Sequence, residues 1–425
     1  MSGNKKEILS WSLYDFANST FTTLIVTFIY ATYFTKVIAL DEISGTALWS
    51  RAVTIAAFSV ALLSPFLGAL ADQGGYRKHF LFFFTAVCVI ASAMLYFPVK
   101  GEVLFALFWF AVGNIAFEMG GVFYNAFLPE IANEKNIGRV SGYGWGLGYI
   151  GGLLAMFVAM IGFVNPEVPW FGLSKETGQN IRATNLLVAC WFSLFSIPIF
   201  IFVKDKSKPG KVKVMESVKA TFTRLKYTFV ELKKYRETMK FLVARLVYND
   251  GLVTVFAFGG IYAAGTFKFT FQEIMIFGII LNVAAGLGAL AMGFLDDYLG
   301  GKKTIIVSLL GLITAAAIAV LTTNKSMFWL AGILVGIFAG PNQSASRSLM
   351  GRFTPSSKQN EFFGFFAFSG KFTVFLGPLI LGILTSAFNS QRAGMSVVIA
   401  FFLIGGMLLL AVNDKEGIKV ANGEA

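Results

Sequence analysis

GALADQGGYRK, residues 68–78, returns as GFLDDYLGGKK, residues 293–303. At a constant offset of 225 residues Gly68 matches Gly293, Asp72 matches Asp297, Gly75 matches Gly300, and Arg77 and Lys78 match Lys302 and Lys303. Further on, an offset of 226 aligns Pro129 with Pro355, Gly138 with Gly364, Gly144 with Gly370 and Gly151 with Gly377. Two matching series at nearly one offset describe a duplicated unit, and a repeat on this scale decides the architecture.

The residues around the two copies say what the unit is. Of the 425 residues 56% are hydrophobic and 14% charged, against about 25% charged in soluble domains. Twelve apolar runs can be read, at 11–38, 48–71, 79–98, 103–128, 139–163, 181–203, 241–266, 271–294, 303–323, 326–350, 360–386 and 394–412. Each reaches or approaches the roughly 20 residues that cross a hydrocarbon core as a helix. The expected fold is an all-α membrane protein of twelve transmembrane helices in two parallel six-helix repeats. Residues 1–203 would form one bundle, 204–240 a linker and 241–425 the second bundle with a short tail. Such pairs of repeats build secondary transporters, with substrate held near the bilayer midplane between them.

Charge sets the orientation. An even number of spans puts both termini on one side, and 24 of the 35 Lys and Arg residues fall in loops of that side, against 8 on the other. Positive residues stay inside, so both termini and the linker are expected in the cytoplasm. The net charge of +12 is thereby a topology signal and not a nucleic-acid footprint. Within the linker Met215, Val218, Phe222, Leu225, Phe229 and Leu232 recur at spacings of three and four among 12 basic residues. That stripe reads as an amphipathic helix on the cytoplasmic leaflet, with a partner-binding helix as the other reading. Cys88 and Cys190 lie in separate apolar runs and read as small buried hydrophobes, and the single histidine, His79, reads as an interfacial residue. No metal, no cofactor and no enzyme chemistry is expected, because nucleophile–base pairs, metal clusters and phosphate loops are missing from the sequence.

The loop at 68–78 resembles the signature of the major facilitator superfamily, Gly-x3-Asp-Arg-x-Gly-Arg-Arg, with Gln73 and Tyr76 where that pattern favours Arg. The resemblance implies the major facilitator fold and a charge-paired latch. Asp72, Arg77 and Lys78, with Asp297, Lys302 and Lys303, would gate the cytoplasmic side. The N-terminal copy lies nearer the pattern, so Asp72 is expected to matter more than Asp297. A narrower resemblance covers nearly the whole chain. SWSLYDFANSTF (10–21), FYNAFLPEIA (123–132), GRVSGYGWGLGYIGG (138–152), LVYNDGLVTVFAFGGIYA (246–263), SASRSLMGRFTP (344–355) and FFGFFAFSGKFTVFLGP (362–378) look like the vacuole-effluxer-type branch. That branch includes a fungal vacuolar amino-acid exporter and many uncharacterised bacterial proteins. The short loops look bacterial, which implies a cytoplasmic membrane.

Lys371 is the only charge between Glu361 and Arg392. At 1.5 Å per residue it lies roughly 15 Å inside its span, where an unpaired charge costs about 2.5–3.5 kcal/mol. Snorkelling to the interface is one reading; a working place in the cavity is the other. Glu118 and Asp250 lie at similar depth, with Asp15, Arg245 and Arg347 somewhat nearer the cytoplasm. These six, with Asn18, are the candidate substrate-binding or proton-coupling residues, and Glu118 is the expected partner of Lys371, with Asp250 as the second choice. Asn114, Tyr124, Asn125, Tyr248, Asn249, Asn282 and Gln343 add neutral polar groups. Both charge signs among many amides suit a zwitterionic or polar solute, amino-acid-like on the resemblance, with a drug-like or other polar metabolite as the alternative. Glu118 or Asp250 is expected to gain and lose a coupling proton as the cavity opens and closes.

GWGLGYIGG (144–152) partly resembles the exporter signature Gly-x3-Gly-Pro-x2-Gly-Gly, with Tyr149 in place of Pro, and also reads as close packing by small residues. Export is the expected direction. The expected partners are a small-molecule substrate, the bilayer and protons, with the chain acting as a monomer. A membrane receptor that transports nothing is the reading from another class.

Overall fold

The computed structural model describes residues 5–205 and 234–424. Twelve long helices fill that range: α1 Lys5–Ile38, α2 Glu42–Gly74, α3 Arg77–Met94, α4 Val103–Ile131, α5 Ile137–Val164 and α6 Gln179–Phe202, then α7 Arg236–Phe267, α8 Phe271–Leu299, α9 Gly301–Leu321, α10 Lys325–Arg352, α11 Gln359–Phe388 and α12 Gln391–Leu410. A short α13, Asp414–Asn422, follows. Eleven of the twelve are long and apolar enough to cross a membrane by composition. The twelfth, α10, falls short because its second half holds Asn342, Gln343, three serines and Arg347, most of them buried against other helices. The expected amphipathic helix at Met215–Leu232 lies outside the described residues.

The repeat has a visible structural cause at its glycines. Gly75 ends α2 with φ of 66°, and Gly300 separates α8 from α9 with φ of 89°. Both copies thus need a residue without Cβ to turn the chain back in one step. Gly68 and Gly364 do a different job where α2 crosses α11. A Cβ on Gly68 would overlap the Asn360 carbonyl, and one on Gly364 the Ser64 carbonyl. The two halves meet along this α2–α11 crossing and along α5–α8.

A second duplicated device does not show in the sequence repeat, because it recurs at another offset. Arg182, at the start of α6, donates through Nη1 to the carbonyls of Tyr96 and Phe97, each at 3.0 Å, just past the end of α3. Arg392, at the start of α12, donates to Val320 at 2.7 Å and to Thr322, at the end of α9. Each guanidinium satisfies carbonyls that a helix end leaves without partners.

The expected span at 360–386 is broken near its middle. α11 runs helically from Gln359 to Lys371, breaks at 372–375, and resumes at Leu376–Phe388. Pro378 explains the place. It has no N–H for the Val374 carbonyl, and its ring crowds that same carbonyl.

Candidate functional site

Connectivity puts both termini at one end of the bundle, and that end is sealed by contacts between the halves. Asp72, in the last turn of α2, accepts from the Asn360 amide at 3.1 Å, the Asn360 side chain at 2.7 Å and the Glu361 amide at 2.9 Å. It thereby caps the amino end of α11, where orphan amides and the helix dipole favour a carboxylate. Asp297 repeats this for α5, accepting from the Gly138 amide at 2.8 Å, the Arg139 amide at 3.3 Å and Arg139 Nε at 2.5 Å. Arg77, almost fully buried, pairs with Glu130 at 2.8 Å and reaches Gln359 and Asn360 of the other half.

The basic residues of the motif divide. Lys78 donates to the Val203 carbonyl at 2.8 Å and Lys302 to the Leu410 and Val412 carbonyls at 3.0 and 2.6 Å. Each therefore braces the last helix of its own half, and Lys303 is exposed. Of the basic residues expected in the latch, only Arg77 crosses between halves among the described residues. Arg139, Arg352 and Asp296 were not singled out from sequence. Arg352 pairs with Asp296 at 2.6 Å inside the second half. The signal was the doubled acid at 296–297 in the second copy, where the first has Ala71 before Asp72.

These contacts revise the expected ranking of the two aspartates. Asp297 caps α5 much as Asp72 caps α11, with a guanidinium added, so comparable defects are expected. Asp72→Asn should speed hydrogen exchange over the first turn of α11, and Asp297→Asn over that of α5, with expression kept. A capping carboxylate contributes about 1 kcal/mol. Unchanged exchange in both variants would remove the latch role.

Deeper in, Arg347 projects from α10 into the first half. Its Nη1 lies 2.8 Å from Asp15 Oδ2 and 3.3 Å from Asn125 Oδ1, while Nε and Nη2 donate to the hydroxyl and carbonyl of Ser141 at 3.0 and 2.7 Å. Its guanidinium carbon stands 4.7 Å from the ring centre of Trp11, with Tyr124 and Trp145 further round. With side-chain exposures of 4% for Arg347 and 14% for Asp15, these two candidate substrate residues are committed to each other in this state.

The other cross-half pair among the candidate substrate residues is open. Lys371 Nζ donates to Glu118 Oε1 at 2.7 Å, with side-chain exposures of 29% and 24%. Lys371 ends the first segment of α11, and Glu118 faces it from α4. Arg245 belongs to neither pair. It donates to the Phe366 carbonyl and the Ser369 hydroxyl, both at 2.7 Å, and lies 3.6 Å from the Phe366 ring centre, bracing α7 on α11. Asn249 donates to the Gly370 carbonyl at 3.1 Å, and Tyr149 reaches Gln343 across the halves at 3.0 Å. Asp250 is buried and meets Thr373, and Asn18 is buried on α1. Asn282 turns back onto its own helix.

Among the described residues, every hydrogen bond or ion pair between halves lies at the terminus-bearing end or near mid-depth. A separate cavity of about 50 Å³ lies wholly within the second half, lined by Val255, Tyr262, Phe277, Phe328, Met395 and other apolar groups. It offers nothing to a charged solute. No group of three or more metal-type ligands occurs among the described residues.

Comparison with known proteins gives a consistent result. Residues 37–422 match the family described as "Vacuole effluxer Atg22 like". Over 419 residues, 98% of this chain and 97% of the relative, the sequence is 28% identical to "Uncharacterized MFS-type transporter YxiO" of Bacillus subtilis. It is 25% identical to "Autophagy-related protein 22-1" of Aspergillus fumigatus over 67% of this chain, which spans about half (49%) of that relative. Among solved structures, the proton:xylose symporter XylE superposes with a TM-score of 0.77 over 99% of this chain and 98% of that one, at 12% identity. The human organic anion transporter MFSD10 gives 0.73 over 95% and 99%, at 13% identity.

Proposed function

The chain belongs to the Atg22-like vacuole effluxer family, with the major facilitator fold of a transporter and not an enzyme, and on that premise we propose that it exports a small zwitterionic, amino-acid-like solute by alternating access coupled to protons. The observation that carries this reading is the Lys371–Glu118 pair. Two opposite charges 2.7 Å apart, both partly open and on opposite halves, match the ammonium and carboxylate of an amino acid. Such a solute replaces each partner of the pair without leaving either charge alone, which an apolar drug cannot do. It would also bridge the halves at the point about which they rock.

In this reading residues 1–203 and 241–425 are the two rocking bundles, joined by 204–240, with both termini in the cytoplasm of a bacterial cell and the chain working as a monomer. The present state is then closed to the cytoplasm. Opening breaks the Asp72 and Asp297 caps and withdraws Arg347 from the first half.

Purified protein should melt at a higher temperature with the right amino acid present, since bound ligand stabilises the folded state. Proteoliposomes should then accumulate that amino acid in labelled form. Stabilisation by drug-like compounds alone would overturn the zwitterion reading, and binding without accumulation would favour a receptor. Orientation is tested separately. A cysteine at Lys415 should resist an impermeant reagent applied to intact cells, and ready labelling would reverse the topology.

A further inference from the structure

We propose that the coupling proton is bound at Asp250, in a site formed where α7 faces the break in α11. This rests on the proton-coupled reading above and assigns its carrier. Asp250 is 2% exposed. Its Oδ1 accepts one bond, from the Thr373 hydroxyl at 3.1 Å, and no ion pair to it occurs among the described residues. Thr373 lies inside the break, where the amides of Thr373, Val374 and Phe375 make no main-chain bond among the described residues. A helix interrupted at mid-depth is where transporters of this architecture hold their coupling ions.

The mid-span cations of α7 and of the helices α10 and α11 packed against it are committed elsewhere. Arg245, on the same helix, is held by the Phe366 carbonyl and Ser369. Lys371, from α11, is held by Glu118, and Arg347, from α10, by Asp15. Neither α8 between Glu273 and Asp296 nor α12 after Arg392 contains an ionisable residue, and α12 meets α7 at Gly251 with Phe401 and Phe402. Tyr248, the nearest ionisable group on α7, is tied to Ser346 of α10. In such surroundings taking up a proton costs a carboxylate less than burying its charge. Glu118, by contrast, has the Lys371 ammonium at 2.7 Å.

The same arrangement couples proton to solute. A zwitterionic solute takes Glu118 with its ammonium and Lys371 with its carboxylate, and Lys371 stands two residues before Thr373, so solute entry acts on the same segment that faces Asp250. When that segment moves and admits water, the carboxylic O–H bond breaks and the proton passes to water.

Infrared spectroscopy of the purified full-length protein tests this without a substrate. At neutral pH the carbonyl band of a protonated carboxylic acid should be present, vanish in Asp250→Asn and survive in Glu118→Gln. In wild-type protein grown on isotope-labelled aspartate the band should shift, which serves should Asp250→Asn not fold. Exchanging potassium for sodium should leave the band unchanged. Survival of the band in Asp250→Asn, its absence from wild type, its loss in Glu118→Gln, or its displacement by sodium would each overturn the assignment. Failure to find a transported amino acid would sink the function proposed above and leave this result standing.

Discussion

Arg347→Ala is expected to destabilise the protein by about 3–5 kcal/mol, the usual cost of stranding one member of a buried ion pair. The alanine leaves Asp15 without its cation and removes the donors to Asn125 and to both oxygens of Ser141. All of these acceptors belong to the first half, while Arg347 belongs to the second, so the loss falls on the seal between them. Hydrogen exchange should therefore rise at the start of α5 and α11, at the terminus-bearing end, more than in the interior of either half. Lysine will not substitute, since one ammonium cannot serve acceptors spread around a planar guanidinium. Asp15→Asn combined with Arg347→Ala should recover part of the melting temperature, because the stranded charge is gone. Unchanged melting and exchange in Arg347→Ala would show that Arg347 is not the pin.

Lys371→Ala and Glu118→Ala should each lower transport about ten- to a hundredfold, the loss expected when a charged hydrogen bond to the solute goes unmade. Their effect on stability should be smaller than that of Arg347→Ala, about 1–2 kcal/mol, because both partners keep access to water. The double variant should regain most of that stability and none of the transport. Non-additive melting with persistent loss of transport identifies a pair that works on substrate. Additive effects would reject the energetic coupling. A harmless Lys371→Ala would remove the lysine from the site despite its short contact.

The span pattern, the duplication and the isolation of Lys371 were all legible because they are local or periodic. A charge deep in an apolar run is anomalous wherever the run is placed, and depth along a helix follows from counting residues. Depth also narrowed its partner to the few acids at the same level. The gate was read only in part. Asp72 and Asp297 followed from the repeat, but their acceptor geometry depends on which helix start the other half presents.

The sequence by itself determined the helices, their number and their pairing into two bundles, since apolar length and repeat register are properties of the chain read along its own line. Only the tertiary structure decided that Arg347 seals the halves while Lys371 stays open, and that Lys78 and Lys302 brace their own bundles. Only there does Asp250 meet the break in α11. The reason is geometric. Arg77 meets Asn360 across 283 positions and Arg347 meets Asp15 across 332, so these contacts follow from how one bundle is rotated against the other. Spacing along either bundle carries no record of that rotation, and a small change in it would exchange which charges are buried together and which face water.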